Sequence, residues 1–449
     1  MKIAYDYYNN IVDKVRLVKQ YGTISRVAGL VVESKGPAVP VGSLCRIESV
    51  DTDDSVMAEV VGFENNSIFL MPLGILRGIN PGSIVTSTGE QLRVPVGDML
   101  LGRVLNGLGH PIDDGGPLIT TTSRSLYAEP PSSLKRQRIT KPLYTGIRSI
   151  DTLCTCGQGQ RIGIFAGSGV GKSVMMGMIT RGTSADVTVI GLIGERSREV
   201  KEFIENDLGT EGMKNAVVVA VTSDEPALIR LKGILTATTI AEYFRDQGKN
   251  VLLLVDSITR VAMAQREIGL SVGEPPATKG YPPSVFAMLP KILERSGAGE
   301  KGSITGLYTV LVEGDDFNEP ISDAVRSVLD GHAILSRQMA AKNHYPAVDI
   351  LQSVSRLMLQ VTTPEHREAA GKIKEIMATY REAEDLINIG AYVTGSSKKI
   401  DHAIACIDKI NEFLKQGIFE QCDPLEAIAA LSELVIAPVS EAVEENEKV

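Results

Sequence analysis

Arg161-Ile162-Gly163-Ile164-Phe165-Ala166-Gly167-Ser168-Gly169-Val170-Gly171-Lys172-Ser173-Val174-Met175-Met176 is the stretch on which the reading of this sequence turns. Residues 161–165 have an apolar strand pattern, a glycine-rich turn follows, and Val174, Met175 and Met178 open a helix. Strand, glycine loop and helix in that order are the context a Walker A loop, GxxxxGK[ST], requires. Glycines let backbone N–H groups turn inward onto phosphate oxygens, and the helix N-terminus behind them adds positive potential. Lys172 supplies a mobile cation for β- and γ-phosphates, and the Ser173 hydroxyl is a ligand for Mg²⁺. Ala166 replaces the first glycine of the pattern, which costs little if its φ stays negative. The expected ATP contacts are Ala166, Gly167, Ser168, Gly169, Val170, Gly171, Lys172 and Ser173, with Val174 at the head of the helix.

Downstream of the loop, the apolar runs at residues 187–193, 216–222, 251–255 and 306–312 are continuous, not alternating. Strands buried on both faces have this pattern, so a parallel sheet covered by helices is expected. The run at 251–255 ends in Asp256, placed to hold the Mg²⁺ hydration shell opposite Ser173. Glu195 and Arg196 follow the run at 187–193, at the end of a strand where an open parallel sheet binds ligands. A carboxylate there can orient a water; acids at a helix N-terminus have the same pattern, and the residues alone do not separate the two. Arg356 in Ser353-Val354-Ser355-Arg356 stands near the start of an expected helix. It suits either a guanidinium donated to a neighbour's phosphoryl group or a surface ion pair. Tyr345, before Pro346, offers an aromatic face for adenine, although a tyrosine in such a place is more often core.

Upstream, short β-branched runs at residues 24–32, 44–50, 55–63, 67–71 and 84–86 are separated by turn clusters, which suggests a small closed β-barrel. Ile11, Val12, Val15 and Val18, with Lys14, Arg16 and Lys19 between them, form an amphipathic helix pattern. It fits a frayed helix lying on the next domain or a docking handle for a partner. Residues 128–142, rich in proline and serine, read as a linker or extended crossing segment, and the basic run Lys135, Arg136 and Arg138 as its solvated part. Beyond Pro364, Ile400, Ile404, Ile407, Ile410 and Leu414, and then Leu425, Ile428, Leu431 and Leu434, recur at helical spacing. The acidic end at 441–449 is expected to be mobile. The expected division is a docking helix at 1–20, a barrel at 21–89, a P-loop ATPase domain at 90–364 and a helical domain at 365–449.

Bulk properties exclude several classes. A net charge of -9 argues against a general nucleic-acid binder. The 5 cysteines, Cys45, Cys154, Cys156, Cys406 and Cys422, form no CxxC pair, so reduced thiols are expected and not disulfides or a zinc site. A polar N-terminus gives no signal peptide, and no apolar run approaches a membrane span, so any membrane association is expected to be peripheral.

Together these motifs resemble the hexameric ATPases related to the rotary ATP synthase α and β subunits, over about residues 20–440. Within that family the chain is similar to the flagellar and injectisome protein-export branch. Its loop reads AGSGVGKS, the form typical of that branch, and residues 263–270 and 274–286 look like its segments, with Met263 and Thr278-Lys279 pointing to the flagellar kind. The resemblance implies a RecA-like α/β P-loop core with a parallel sheet, an N-terminal β-barrel and a C-terminal helical domain. It implies Mg-dependent ATP hydrolysis in a homohexamer that energises export of flagellar proteins through a type III apparatus. Lys172 would bind phosphate, Glu195 would position the water, and Arg196 and Arg260 would lie around the γ-phosphate. Arg356 would act across the subunit boundary, and Tyr345 would line the adenine site. The implied partners are a stalk-like negative regulator at the N-terminal helix, an export gate, a central coiled-coil protein and chaperone–cargo complexes, at the cytoplasmic face of the inner membrane. The acidic loop Glu313-Gly314-Asp315-Asp316 matches a further family segment near the nucleotide interface.

An injectisome ATPase shares most of the motifs. A rotary catalytic subunit would carry an acidic DELSEED-like loop, and only Asp423-Pro424-Leu425-Glu426-Ala427 is found. An RNA-translocating hexamer would have a basic, aromatic barrel; here Phe63 and Phe69 are the barrel's phenylalanines, and tryptophan is absent from the chain. Non-catalytic rotary subunits typically carry Gln at the position of Glu195, so a glutamate argues against a scaffold without turnover.

Overall fold

The structure is a computed structural model that describes residues 20–49, 54–120, 122–312, 314 and 316–436. The expected docking helix and the acidic end at 441–449 lie outside the described residues, apart from Gln20.

Six strands form a closed antiparallel barrel in the order Tyr21–Ala28, Val31–Lys35, Ser67–Pro72, Ser55–Glu64, Ser43–Glu48 and Ile84–Gln91, the last pairing with the first. Period-two alternation turns Ile24, Val32, Cys45, Ile47, Val60, Leu70 and Val85 into its interior. The run expected at 24–32 is two strands. Ala28 pairs with Val31 across a tight turn at Gly29 and Leu30, so a glycine inside a β-branched run marks a hairpin.

The central sheet orders Val354–Ser355, Gly331–Leu335, Arg161–Ala166, Ser303–Leu311, Asn250–Asp256, Val187–Glu195, Ala216–Thr222 and Val104–Leu105. All neighbours on this path are parallel except the first pair, which is antiparallel. Val217, Val219 and Val221 pack into one core and Val218 and Ala220 into the other, which is why the run is apolar without a break. Three strands on this path were not read from the sequence: Val104–Leu105, Gly331–Leu335 and Val354–Ser355. Two of them are two residues long, below the length at which periodicity carries a signal.

Helices Pro364–Asn388, Lys398–Leu414 and Pro424–Ile436 follow the sheet. They close the core that contains Met175, Met176 and Ile179 of the phosphate-loop helix. The buried face keeps Ile407, Ile410, Leu414 and Leu431 of the expected apolar stripe. Ala403 and Ala427 are buried as well, while Ile404 is 36% and Leu425 is 68% exposed.

The crossing segment is strapped to the core. The Arg136 guanidinium donates to the Ser296 carbonyl at 2.8 Å and to the Glu294 backbone and carboxylate, and Lys135 pairs with Glu300 at 3.2 Å. The expected solvated linker is therefore corrected at Arg136, which supplies donors to carbonyls just past the helix Pro283–Leu293. All five cysteines are free. No described helix is long and apolar enough to cross a membrane.

Candidate active site

The phosphate loop leaves the sheet at Ala166, the last residue of its strand, 1% exposed and outside the positive-φ region. Gly171 precedes the helix Lys172–Gly182 with φ 88°, a left-handed conformation that glycine adopts without a Cβ clash. That turn presents Gly167, Ser168, Gly169, Gly171, Lys172, Ser173 and Val174 to a cleft of ≈ 890 Å³. Ala166 and Val170 do not line it; both are buried behind the loop, in the core with Met175 and Met176. The Tyr345 ring stands over the other side of the turn, where a Cβ on Gly171 would lie 3.4 Å from Cε1. Tyr345 is 40% exposed, so it is not a core residue.

Glu195 and Asp256 arrive from neighbouring strands at the same edge of the sheet. Lys172 Nζ donates to Asp256 Oδ1 at 2.5 Å and lies 3.8 Å from Glu195 Oε1. Thr309 Oγ1 donates to the same Asp256 oxygen at 2.6 Å. Thr309 was not expected in the site, although a hydroxyl within the apolar run 306–312 was a legible sign. The cluster is nearly closed to solvent, and Glu195 Oε1 is buried without a hydrogen-bond partner among the described residues. Burial, then the Asp256 charge, push the Glu195 carboxyl up to about 7, against the pull of Lys172. A carboxyl group poised near neutral pH beside a phosphate-binding lysine has the properties of a group that handles a water.

The strand leading to Glu195 carries an irregularity that aims it. Its register with Ala216–Thr222 slips between Ile193 and Glu195. Gly194 sits there at φ +73°, and a Cβ on it would lie 3.0 Å from Arg260 Cβ. The slip frees Glu195 from the two-residue alternation of the strand and lets it line the cleft. Arg260 belongs to the helix Ile258–Ser271, capped by the Ser257 side chain. Its Nε is buried without a partner among the described residues, and its Nη1 lies 3.9 Å from Met263 Sδ. Arg196 is on the rim, with its side chain 80% exposed and paired with Glu199 at 3.5 Å.

Cations that the sequence did not single out add to this wall. Arg266, stacked 5.3 Å from the Tyr281 ring, and Lys279, 3.7 Å from Asp316, both line the cleft, as does Arg337. Their signal was weak because they come from separate elements: Arg266 from the helix Ile258–Ser271, Lys279 from the turn Thr278–Gly280 and Arg337 from the helix Arg337–Ala341. Of the acidic segment 313–316, Gly314 lines the cleft and Asp316 holds Lys279; Glu313 and Asp315 lie outside the described residues.

Arg356 is not part of this cluster. It is exposed, immediately after the short strand Val354–Ser355, and precedes the helix Met358–Val361 by two residues. Ser355 pairs with Gly331, at the end of Gly331–Leu335 remote from the loop, whereas Leu335 pairs with Ala166. The separation is roughly 13 Å of strand at about 3.3 Å per residue, farther than an arginine side chain reaches. Among the described residues its guanidinium has no hydrogen bond or ion pair.

Three family models match the chain: the ATP synthase alpha/beta family β-barrel domain over residues 24–89, that family's nucleotide-binding domain over 146–355, and the T3SS EscN ATPase C-terminal domain over 362–433. The flagellum-specific ATP synthase of Bacillus subtilis is 56% identical over 419 residues, covering 93% of this chain and 95% of that protein. The assembled ATPase EscN of the enteropathogenic E. coli type III secretion system superposes with a TM-score of 0.88 at 47% identity, covering 92% of this chain and 100% of that one. EscN in complex with its central stalk EscO superposes at 0.85 with 46% identity, again over 92% and 100%. The chain belongs to the ATP synthase alpha/beta family, as an ATPase of its flagellar and type III secretion branch.

Proposed function

We propose that the chain hydrolyses Mg-ATP in a homohexameric ring and that hydrolysis energises export of flagellar proteins through a type III apparatus. The observation that carries the ring is the separation of Arg356 from the chain's own cluster of Lys172, Glu195 and Asp256. An exposed guanidinium, unpaired among the described residues, that cannot reach its own phosphate loop suits a role at a neighbour's site, where such a group is worth ~10³–10⁵ in rate in related phosphoryl transfers. Lys172 and the loop amides hold the β- and γ-phosphates, Glu195 orients the water, and Arg260 and Arg196 lie around the γ-phosphate. Tyr345 offers its exposed face to adenine.

The residues fit a magnesium ion. Among the described residues no group of three or more His, Cys, Asp or Glu side chains converges as a metal cage. One hydroxyl, Ser173, and one carboxylate, Asp256, are a donor set suited to Mg²⁺ when phosphate oxygens and water fill its remaining positions. When bound, the ion neutralises charge on the phosphate oxygens. Lys172 pairs with Asp256 in this structure, and the same ammonium is the group that would meet the phosphates.

The higher identity to the flagellar relative than to EscN favours flagellar export over an injectisome role. The C-terminal match to EscN favours export over a rotary synthase. By analogy with EscN and EscO, a central coiled-coil protein enters the ring. A stalk-like negative regulator takes the N-terminal segment, and the ring works with an export gate and chaperone–cargo complexes at the cytoplasmic membrane face, without nucleic acid.

The test is Mg-ATPase activity per chain across protein concentration, with mass measured alongside. Activity that rises with ring formation supports the reading. Equal activity in monomer and ring removes the need for a neighbour's arginine.

A further inference from the structure

Opposite the phosphate loop, the foot of the central sheet is stitched together around Arg356 without using its side chain. The Arg356 N–H donates to the Asp330 carbonyl at 3.0 Å. The Gln160 amide donates to the same carbonyl at 3.0 Å and to Ser355 Oγ at 3.1 Å, and Ser355 Oγ donates to the Thr155 carbonyl at 2.8 Å. Asp330 is itself clamped. Its N–H donates to the Arg161 carbonyl at 2.8 Å, and its carboxylate accepts from Arg161 N and Nε at 3.1 Å and from Nη2 at 3.2 Å. Arg161 Nη1 also reaches Glu294 Oε1 at 2.5 Å.

This network faces open space. A cavity of ≈ 530 Å³ lies beside it, lined by Arg138, Arg161, Asp330, Leu357 and Gln360 among others. Position here is held by directed hydrogen bonds more than by packing. A bidentate pair between arginine and carboxylate, reinforced by backbone bonds, is the arrangement that fixes geometry most tightly. Arg161 is the first residue of the strand that ends in the phosphate loop. One strand therefore carries the chain's own loop at its far end and the support of Arg356 at its foot.

We propose that Asp330, clamped by Arg161, is a positioning residue that sets where Arg356 is presented to the neighbouring subunit's nucleotide. The inference rests on the reading of Arg356 given above. Because the Arg356 guanidinium has no hydrogen bond or ion pair among the described residues, its aim depends on its backbone, and the Asp330 carbonyl is the acceptor that fixes its N–H. Removing the Asp330 carboxylate deletes three bonds to Arg161 and loosens that carbonyl. The effect belongs in the neighbour's turnover, not in nucleotide binding.

In purified rings, Asp330→Ala is expected to lower kcat about tenfold or more, with KM and binding of a fluorescent ATP analogue changed by less than about twofold. Asp330→Asn keeps the shape and one acceptor, loses less activity, and replaces Asp330→Ala throughout if that chain does not assemble. The deciding experiment mixes chains. A Lys172→Ala chain has a dead loop but normal support for Arg356. Mixed with Asp330→Ala, it offers a well-placed arginine to an intact loop across the boundary. A several-fold rise in activity per Asp330→Ala chain on mixing supports the proposal. No rise overturns it, because a neighbour does not repair a defect in the chain's own site. Arg356→Ala mixed with Lys172→Ala is the control. Recovery there without recovery for Asp330→Ala rejects the role of Asp330 alone; recovery in neither rejects the reading of Arg356 as well.

Discussion

Glu195 brings the chemistry of the site down to one proton. Its carboxyl sits at about 7 because burial and Asp256 disfavour the charge more than Lys172 favours it. Only the ionised form can draw a proton from an attacking water, so kcat/KM should fall as pH drops below about 7, close to tenfold per unit. In Glu195→Gln that limb should vanish, hydrolysis should fall at least about 10²-fold, and ATP binding should remain. A retained limb would assign the titration to another group. The stability sign is the reverse. With its pKa raised in the folded state, this group contributes stability below about 4.5, which is lost as pH rises through about 7. Lys172→Ala should weaken nucleotide binding and abolish turnover, since it removes the ammonium that pairs with Asp256 and Glu195 at the phosphate loop. Equilibrium binding and steady-state turnover measured on that chain decide the point, and full activity would remove the phosphate-loop assignment.

Among the elements, the strand Val187–Glu195 shows how a fold aims a side chain. Gly194 takes φ +73° against the Arg260 side chain, and the register slip there turns Glu195 into the cleft. Gly194→Ala would force a left-handed residue, at a cost of about 1–2 kcal/mol, and press a methyl against Arg260. Urea unfolding should record that loss, and kcat/KM should drop about tenfold because both Arg260 and Glu195 shift. If stability falls with kcat/KM unchanged, the bulge does not aim the carboxylate. The C-terminal helices give the matching lesson for packing. Ile407, Ile410, Leu414 and Leu431 form the buried stripe, and Ala403 and Ala427 are buried with them, small residues that a search for large apolar ones passes over.

At the scale of the molecule, barrel and core are joined by a buried charge pair. Lys232, from the core helix Ala227–Asp246, donates to barrel residue Glu59 at 2.7 Å and to the Tyr127 hydroxyl at 2.5 Å, with both charged side chains under a tenth exposed. Burial pulls the Lys232 ammonium down and Glu59 holds it up. Lys232→Met leaves the Glu59 carboxylate buried without its partner and should cost about 3–5 kcal/mol in denaturant unfolding. Adding Glu59→Leu should recover most of that loss, since two apolar groups leave no stranded charge. A single variant as stable as the parent would mean that water reaches Glu59.

The sequence by itself determined the phosphate loop, the parallel core and the barrel, because each rests on local order: a glycine turn between strand and helix, unbroken apolar runs, and short alternating ones. Asp256 and Glu195 were legible as residues at strand ends, since a parallel sheet brings its strand ends to one edge. Only the tertiary structure decided which side chains meet. Thr309 joins Asp256, Arg266 enters from the helix that carries Arg260 and Lys279 from the turn after it, and Val170 turns away from a cleft that its neighbours line. The place of Arg356 also had to be seen, because a two-residue edge strand held by Asp330 and Gln160 leaves no periodic trace. Periodicity reports which face of an element is buried. Long-range hydrogen bonds and charge pairs depend on the distance between elements, and that distance is set only when the elements pack.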